Sequence, residues 1–287
     1  MATKTYGRPS SFSNVYFGWL EPGDLRGCTF DALTDDHLWV YELHIWAGKN
    51  TDVDPDNVTL RLAIHETNAS KEPTNRLGYT EAITVSNVMT DVSGGQDKSG
   101  AIAVSTGPSS SSIFLSPGKR YHLDALGTVG SLGHRMQAAA LISADDERFF
   151  NRNGLSQPPP DPFGSYSIGG TDDGIQGHMT IWAVGDINVA PDTPTNLSPS
   201  GTINSITPTF TADFEDDNEN RGDYLNQFSI QVRRVSDQAS FWNTTVTATT
   251  AERAADAISR AYGGTTLVRG TAYEWRGQRS DHGSEGS

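Results

Sequence analysis

Short runs with an apolar residue at every second position, each cut off by Gly, Pro, Asn or Asp, recur along this chain. In Val58–Glu66, Val58, Leu60, Leu62 and Ile64 alternate with Thr59, Arg61 and His65. Successive side chains of a β-strand point to opposite faces, so the pattern predicts a strand with one apolar face. Tyr121–Leu126 repeats it with Tyr121, Leu123 and Ala125, and Gln227–Val235 with Phe228, Ile230 and Val232. The 29 Gly, 14 Pro and 35% hydrophobic content of the 287 residues favour many short strands over long helices. The predicted class is all-β, with two β-sandwiches in series.

Residues 1–28 hold Phe12, Tyr16, Phe17, Trp19 and Leu20 among Gly, Pro and Ser. They read either as an arm that docks its aromatics elsewhere or as the first strand of the adjoining domain. Residues 29–186 read as a two-sheet sandwich of jelly-roll type. Its predicted strand His37–Trp46 has Trp39, Tyr41, Leu43 and Ile45 on one face and Leu38, Val40 and Trp46 on the other, which implies cover on both sides. Further strands are expected at Tyr79–Val85, Ala101–Val104, Ser112–Leu115, Met136–Ser143 and His178–Val184. Between Asp145 and Gly177 the alternation lapses into Pro- and Gly-rich sequence. A loop this long inside a compact domain is functional or packed against a neighbour. Residues 187–201 form a linker stiffened by Pro191, Pro194 and Pro199. Residues 202–287 read as the second sandwich, with Tyr273 and Trp275 inward on its last strand, Thr271–Ser280. Ala251–Tyr262 is the helical segment, because Ala254, Ala257, Ile258 and Ala261 fall at helical spacing.

The totals set limits on function. A net charge of −14, spread along the chain, disfavours nonspecific binding to nucleic acid and adhesion to anionic lipid. The single cysteine, Cys28, rules out an internal disulfide and predicts a small buried residue. The first residues show no signal-peptide pattern, and no apolar run is long enough to span a membrane. The expectation is synthesis in a host cytoplasm, with any action outside a cell reached by lysis or as part of a particle.

Candidate chemistry is sparse. Asp52, Asp54 and Asp56 alternate in one loop, and Glu215, Asp216 and Asp217 cluster in another. Such loops can offer several of the oxygens that Ca²⁺ requires, although Asp, Asn and Pro form solvated turns without any ion. Neither has the glycine and distal Glu of an EF-hand. The seven histidines show no zinc-binding spacing, and His44, His65 and His122 read as satisfied strand residues. No nucleophile elbow or placed acid pair is present, and Asp145, Asp146 and Glu147 read as a solvated acidic stretch. No catalytic residue is assigned. A sugar site is the sharper alternative: Trp46, Phe163, Tyr166 and Trp182 are candidate stacking rings, with Asp172 and Asp173 as acceptors. Trp46 and Trp182 read more readily as core residues of alternating strands; Phe163 and Tyr166, in the Pro- and Gly-rich loop, are the better contact candidates, and read equally as contacts to a neighbouring subunit.

Pro191 to Pro199, T-P-T-F at Thr207–Phe210, the D-F-E-D-D-N turn and Y-E-W-R at Tyr273–Arg276 resemble fibronectin type III-like domains of bacteriophage tail proteins. The L-x-L-A-I-H-E strand, L-S-P-G-K-R-Y-H-L and G-H-M-T-I-W-A-V-G-D resemble jelly-roll domains of actinobacterial phage minor tail proteins. The resemblance implies a virion component of the tail tip or fibre. Its partners would be other tail proteins, identical copies in a trimer, and a host cell-surface glycan. It implies no enzymatic activity and no nucleic-acid or membrane-inserting role. It also implies that the second sandwich stops before its last strand, to be completed by further chain or by another chain. The rival reading is a carbohydrate-binding module of a glycan-degrading enzyme.

Overall fold

A computed structural model describes residues 3–7, 15–30, 32–33, 37–49, 58–87, 95–106, 111–138, 148–152, 154–155, 158–164, 167–168, 177–189, 192–214 and 224–281. The protein is all-β, and every strand pairing in it is antiparallel. It divides into two compact units, Ala2–Ile187 and Asn188–Ser287.

The first unit contains β1 (Thr3–Gly7), β2 (Val15–Leu20), β3 (Leu25–Thr29), β4 (Leu38–Lys49), β5 (Val58–Thr67), β6 (Pro73–Thr80), β7 (Ile83–Val85) and β8 (Gln96–Ser105). It continues with β9 (Ile113–Leu115), β10 (Tyr121–Val129), β11 (Leu132–Ala138), β12 (Arg148–Arg152), β13 (Ser167–Ile168), β14 (Gly177–Met179) and β15 (Ile181–Ile187). The main path runs β1-β15-β4-β8-β6-β5-β10-β3-β12-β13. Residues 96–101 of β8 pair with β4 while residues 102–105 pair with β6, so one strand carries the chain from one half of the sheet to the other. The halves share one core: Val40, Leu43 and Ile45 of β4 and Ile181 and Ala183 of β15 meet Leu60, Leu62, Ile64, Leu123 and Ala125 of β5 and β10. Each fully buried Val, Leu or Ile side chain of this set contributes about 1.5–3 kcal/mol, and each Ala less.

Residues 3–7, 15–20 and 25–29 belong to these sheets. β1 pairs with β15, β2 with β11 and β3 with β10. The Tyr6 hydroxyl accepts a 2.8 Å hydrogen bond from the Tyr121 backbone N–H, which ties the first strand to the middle of the fold. Cys28 is buried and its sulfur accepts from the Met179 backbone amide at 3.2 Å.

Strand β4 corrects the predicted facing. The register slips between Val184 and Gly185, so that Glu42 and Val40 are paired across from them and Tyr41 bulges out. One extra residue reverses the alternation. Leu38 and Val40 therefore point into the same core as Leu43, Ile45 and Ala47, rather than away from it. Trp39 lies on the other face, fully buried, with its ring 4.7 Å from that of Phe114 on β9. The predicted cover on both faces therefore holds at Trp39, whereas Glu42, His44 and Trp46 on that second face are only half-buried.

The second unit comprises β16 (Thr195–Ser198), β17 (Thr209–Asp213), β18 (Leu225–Arg234), β19 (Ser240–Thr247), α1 (Thr250–Ala255), β20 (Ala257–Ala261) and β21 (Tyr273–Asp281). Two three-stranded sheets, β16-β17-β20 and β19-β18-β21, enclose Phe210, Phe214, Phe228, Ile230, Val232 and Ile258. β16 falls within the stretch expected as linker. The expected helix is mostly absent: α1 spans only six residues, buries none of them and ends at Asp256, whose φ of 45° is left-handed. Residues 257–261 instead form β20, where Ile258 enters the core and the backbone pairs with β17. Alanine-rich helix propensity is worth little on an exposed turn, and burial on a sheet outweighs it.

Candidate functional site

The outer face of the β5-β10-β3 sheet, opposite the core, carries a group of ionisable side chains that is completely buried. His122 and Asp124 stand two residues apart on β10 and share that face. His65 on β5 and Thr29 on β3 both lie opposite His122 in register, and Gly27 lies opposite Asp124. His65, His122 and Asp124 are all completely buried. The expectation that His65 points away from the core holds for its direction, but its face is sealed.

The seal is Phe163. Its ring meets the imidazoles of His65 and His122 edge-on, at centroid distances of 5.1 and 5.2 Å. Leu25 and Leu126 are buried beside it, and Leu155 packs on them. Arg76 of β6 fastens the covering segment. Its backbone N–H donates to Asp161 Oδ1 at 3.0 Å, and its guanidinium donates to the Pro159 carbonyl. Phe163 N–H donates to the Thr74 carbonyl at 2.9 Å. Gly27 is required underneath: a Cβ there would lie 2.4 Å from the Leu123 carbonyl oxygen and 2.5 Å from His122 Nε2.

His65 Nε2 lies 2.9 Å from Asp124 Oδ2, an ion-pair distance that is off the axis of a well-formed hydrogen bond. His122 Nε2 is 3.8 Å from the same oxygen. The Thr29 hydroxyl donates to the Lys71 carbonyl at 3.0 Å and sits 3.2 Å from His122 Nδ1. A hydroxyl has one hydrogen to give, so His122 Nδ1 is the donor to Thr29, and the neutral ring keeps its Nε2 lone pair toward Asp124. Burial holds the His122 pKa well below its usual value, and repulsion from His65 adds to that. Burial raises the Asp124 pKa, while His65 and Arg76 pull it back. Phe163 covers both imidazoles of the cluster from the side opposite the core.

A second feature lies in the second unit. β21 is bonded to β18 along one edge, and no strand pairs with its other edge among the described residues. Beside that edge is a cleft of about 850 Å³ lined by Pro199, Ile203, Ile206, Phe210, Val268 and Trp275. Ile203 is 41% and Val268 58% exposed, and all four residues of β16 are exposed. Trp275 Nε1 donates to the Pro199 carbonyl at 3.0 Å, and its ring packs against Phe210 at 4.8 Å. Ser200, Asn204, Arg269 and Glu274 also line the cleft, so its wall is mixed polar and apolar; an open edge beside such a cleft suits an added extended strand, with backbone groups giving hydrogen bonds and the cleft taking alternate side chains.

The structure revises the expected sugar platform. Phe163 is buried under its own loop, and Trp182 is 6% exposed with the His44 imidazole stacked on it at 4.9 Å. Neither ring offers a free face to a sugar. His44 itself lies 3.0 Å from Asp97 Oδ1 and 3.4 Å from Glu42 Oε2. Trp46 is half-buried on β4, away from Phe163 in the strand order. Tyr166, Asp172 and Asp173 lie outside the described residues, as do Asp52, Asp54, Asp56, Glu215, Asp216, Asp217, Asp145, Asp146 and Glu147. The His65–Asp124–His122 grouping escaped the sequence reading. Its one local signal was the pair His122 and Asp124 on the polar alternation of a strand whose other face is apolar. Comparison with protein-family models finds no match to the chain, and comparison with curated proteins finds none.

Proposed function

We propose that this chain is an assembly and attachment component of a phage tail, a minor tail protein that works by binding rather than by bond-making. The observation that carries the reading is the open β21 edge with the cleft and the exposed Ile203 and Val268 beside it. Exposed aliphatic residues beside unpaired backbone are a liability in a free monomer and an asset in an assembly. The two β-sandwich units and the fibronectin-like and jelly-roll-like motifs of the sequence support the same reading. In it, the second unit pairs with another tail polypeptide or an identical copy, and the protein resides in the virion. The test combines sedimentation with recovery from purified particles. The wild-type chain should self-associate at micromolar concentration or co-purify with tails. Ile203→Glu, at an exposed position, should keep the fold and lose that association. A wild-type chain that is monomeric and absent from particles overturns the proposal.

A further inference from the structure

We propose that the β21 edge pairs with the same edge of a second copy of this chain, antiparallel about a two-fold axis through Trp275. The inference deepens the association role proposed above and rests on it. β21 alternates Tyr273, Trp275 and Gly277 on one face with Glu274, Arg276 and Gln278 on the other. Tyr273 and Trp275 pack against the core, and Glu274, Arg276 and Gln278 are exposed.

Charge selects the register. Residues opposed across an antiparallel pair share a face, so the axis of a symmetric pair passes through a residue and not between two. Centred on Trp275, the pairing sets Glu274 opposite the copy's Arg276, and Arg276 opposite the copy's Glu274. Centred on Glu274 or on Arg276, it would oppose like charges. Centred on Tyr273 or Gly277, it would put both charges opposite uncharged residues. Opposite charges directly across strands stabilise a sheet and like charges destabilise it.

The single chain is arranged to receive this pairing. Glu274 stands opposite Arg233 of β18 and holds its Nε at 2.6 Å through Oε1. Gln238 donates to the same oxygen at 3.1 Å, so Oε2 is the atom a second guanidinium would take. Arg276 stands opposite Gln231, a neutral residue, on β18. The joined strands therefore carry Arg233, Glu274 and the copy's Arg276 in one row of alternating sign. On the core side Trp275 meets its own copy, and Tyr273 lies opposite the copy's Gly277. Gly277 has no room for a side chain of its own, because a Cβ would lie 2.4 Å from Phe228 Cζ. An aromatic residue across from a strand glycine makes good the missing contact. The result is one six-stranded sheet, in which the edge backbone groups of both copies are paired.

The experiment is sedimentation of the full chain and of two charge reversals, alone and mixed. Wild type should form a dimer. Glu274→Arg and Arg276→Glu should each raise its dissociation constant by about tenfold or more, since each turns two attractive pairs into two repulsive ones. An equimolar mixture should recover the wild-type affinity, because each variant supplies the sign that the other lacks. Amide exchange across 273–277 should slow as the wild-type concentration rises. A trimer, association that both reversals leave unchanged, or a mixture that fails to recover it overturns this inference alone. So does exchange at 273–277 that is slow at every concentration, the mark of a strand supplied by the same chain. A wild-type monomer also overturns it, and takes the assembly reading with it when the chain is absent from particles too. If one reversal does not fold, the other reversal and the exchange profile decide.

Discussion

Phe163→Ala separates two roles for the same ring. As a solvent-facing contact residue, Phe163 would be replaceable at a cost within about ±0.5 kcal/mol, with binding lost. As a plug it is fully buried, in edge contact with both imidazoles and packed on Leu25 and Leu126. Removing a buried Phe side chain costs about 3–5 kcal/mol, less where the surroundings collapse into the space. The covering segment can collapse and water can rehydrate the histidines, so we expect the low end, about 3 kcal/mol. For a unit of this size that lowers the melting temperature by roughly 6–12 °C. Urea and thermal unfolding, with the transition of the first unit followed separately from that of the second, measures it at pH 7.5. Phe163→Leu keeps apolar volume and should lose less than half as much. A cost below about 1 kcal/mol for Phe163→Ala would refute the sealed-cluster geometry.

Gly277→Ala tests the second core: a Cβ there would lie 2.4 Å from Phe228 Cζ, and Phe228 is fully buried. Overpacking costs about 1–3 kcal/mol against about 0.5–1 gained by replacing a strand glycine, so urea unfolding should show a net loss of about 1–2 kcal/mol confined to that unit. The Glu252 carboxyl is pushed up by burial, but hydrogen bonds from Arg260 and Thr249 prevail and hold it at about 2. Its stabilisation is therefore complete above the ordinary glutamate value of 4.5 and is lost as pH falls from there toward 2; Glu252→Gln should make the acid melting profile of the second unit shallower, and an unchanged profile would contradict the pairing.

Strand existence was legible wherever one face was apolar and the chain was regular. Val58, Leu60, Leu62 and Ile64 all reach the core as their alternation predicts, as do Tyr121, Leu123 and Ala125. Facing was lost at the Tyr41 bulge, because one unpaired residue reverses a period of two and only the partner strand reveals it. The helix was misread past Ala255 because Ala254, Ala257, Ile258 and Ala261 satisfy a helical period while the β17 edge claims residues 257–261. The buried cluster was out of reach for a further reason: alternation shows that His65, His122 and Asp124 leave the core face, but not what lies over them. The cover comes from Phe163, a residue distant in sequence, and long-range packing leaves no trace in local period.

The two units meet one physical problem in opposite ways. Each has sheet surface that its own regular strands leave uncovered. In the first, a Pro-rich segment folds back, buries Phe163 and carries three ionisable groups into the interior with it. Hydrophobic burial of the ring and desolvation of the histidines oppose each other at that contact. In the second, Leu197, Ile203, Ile206 and Val268 remain exposed near an edge that no described strand completes. A cover supplied from within is regulated by its own chemistry, whereas a cover supplied from outside is regulated by partner concentration. The first unit should therefore hold its cover as an isolated chain, whereas the second should gain its cover only on association. Ile203→Glu should lose association yet leave the melting transition of the first unit unchanged, and Phe163→Ala should lower that transition and leave association intact; a loss of association in Phe163→Ala at a temperature where the first unit is folded would contradict the division.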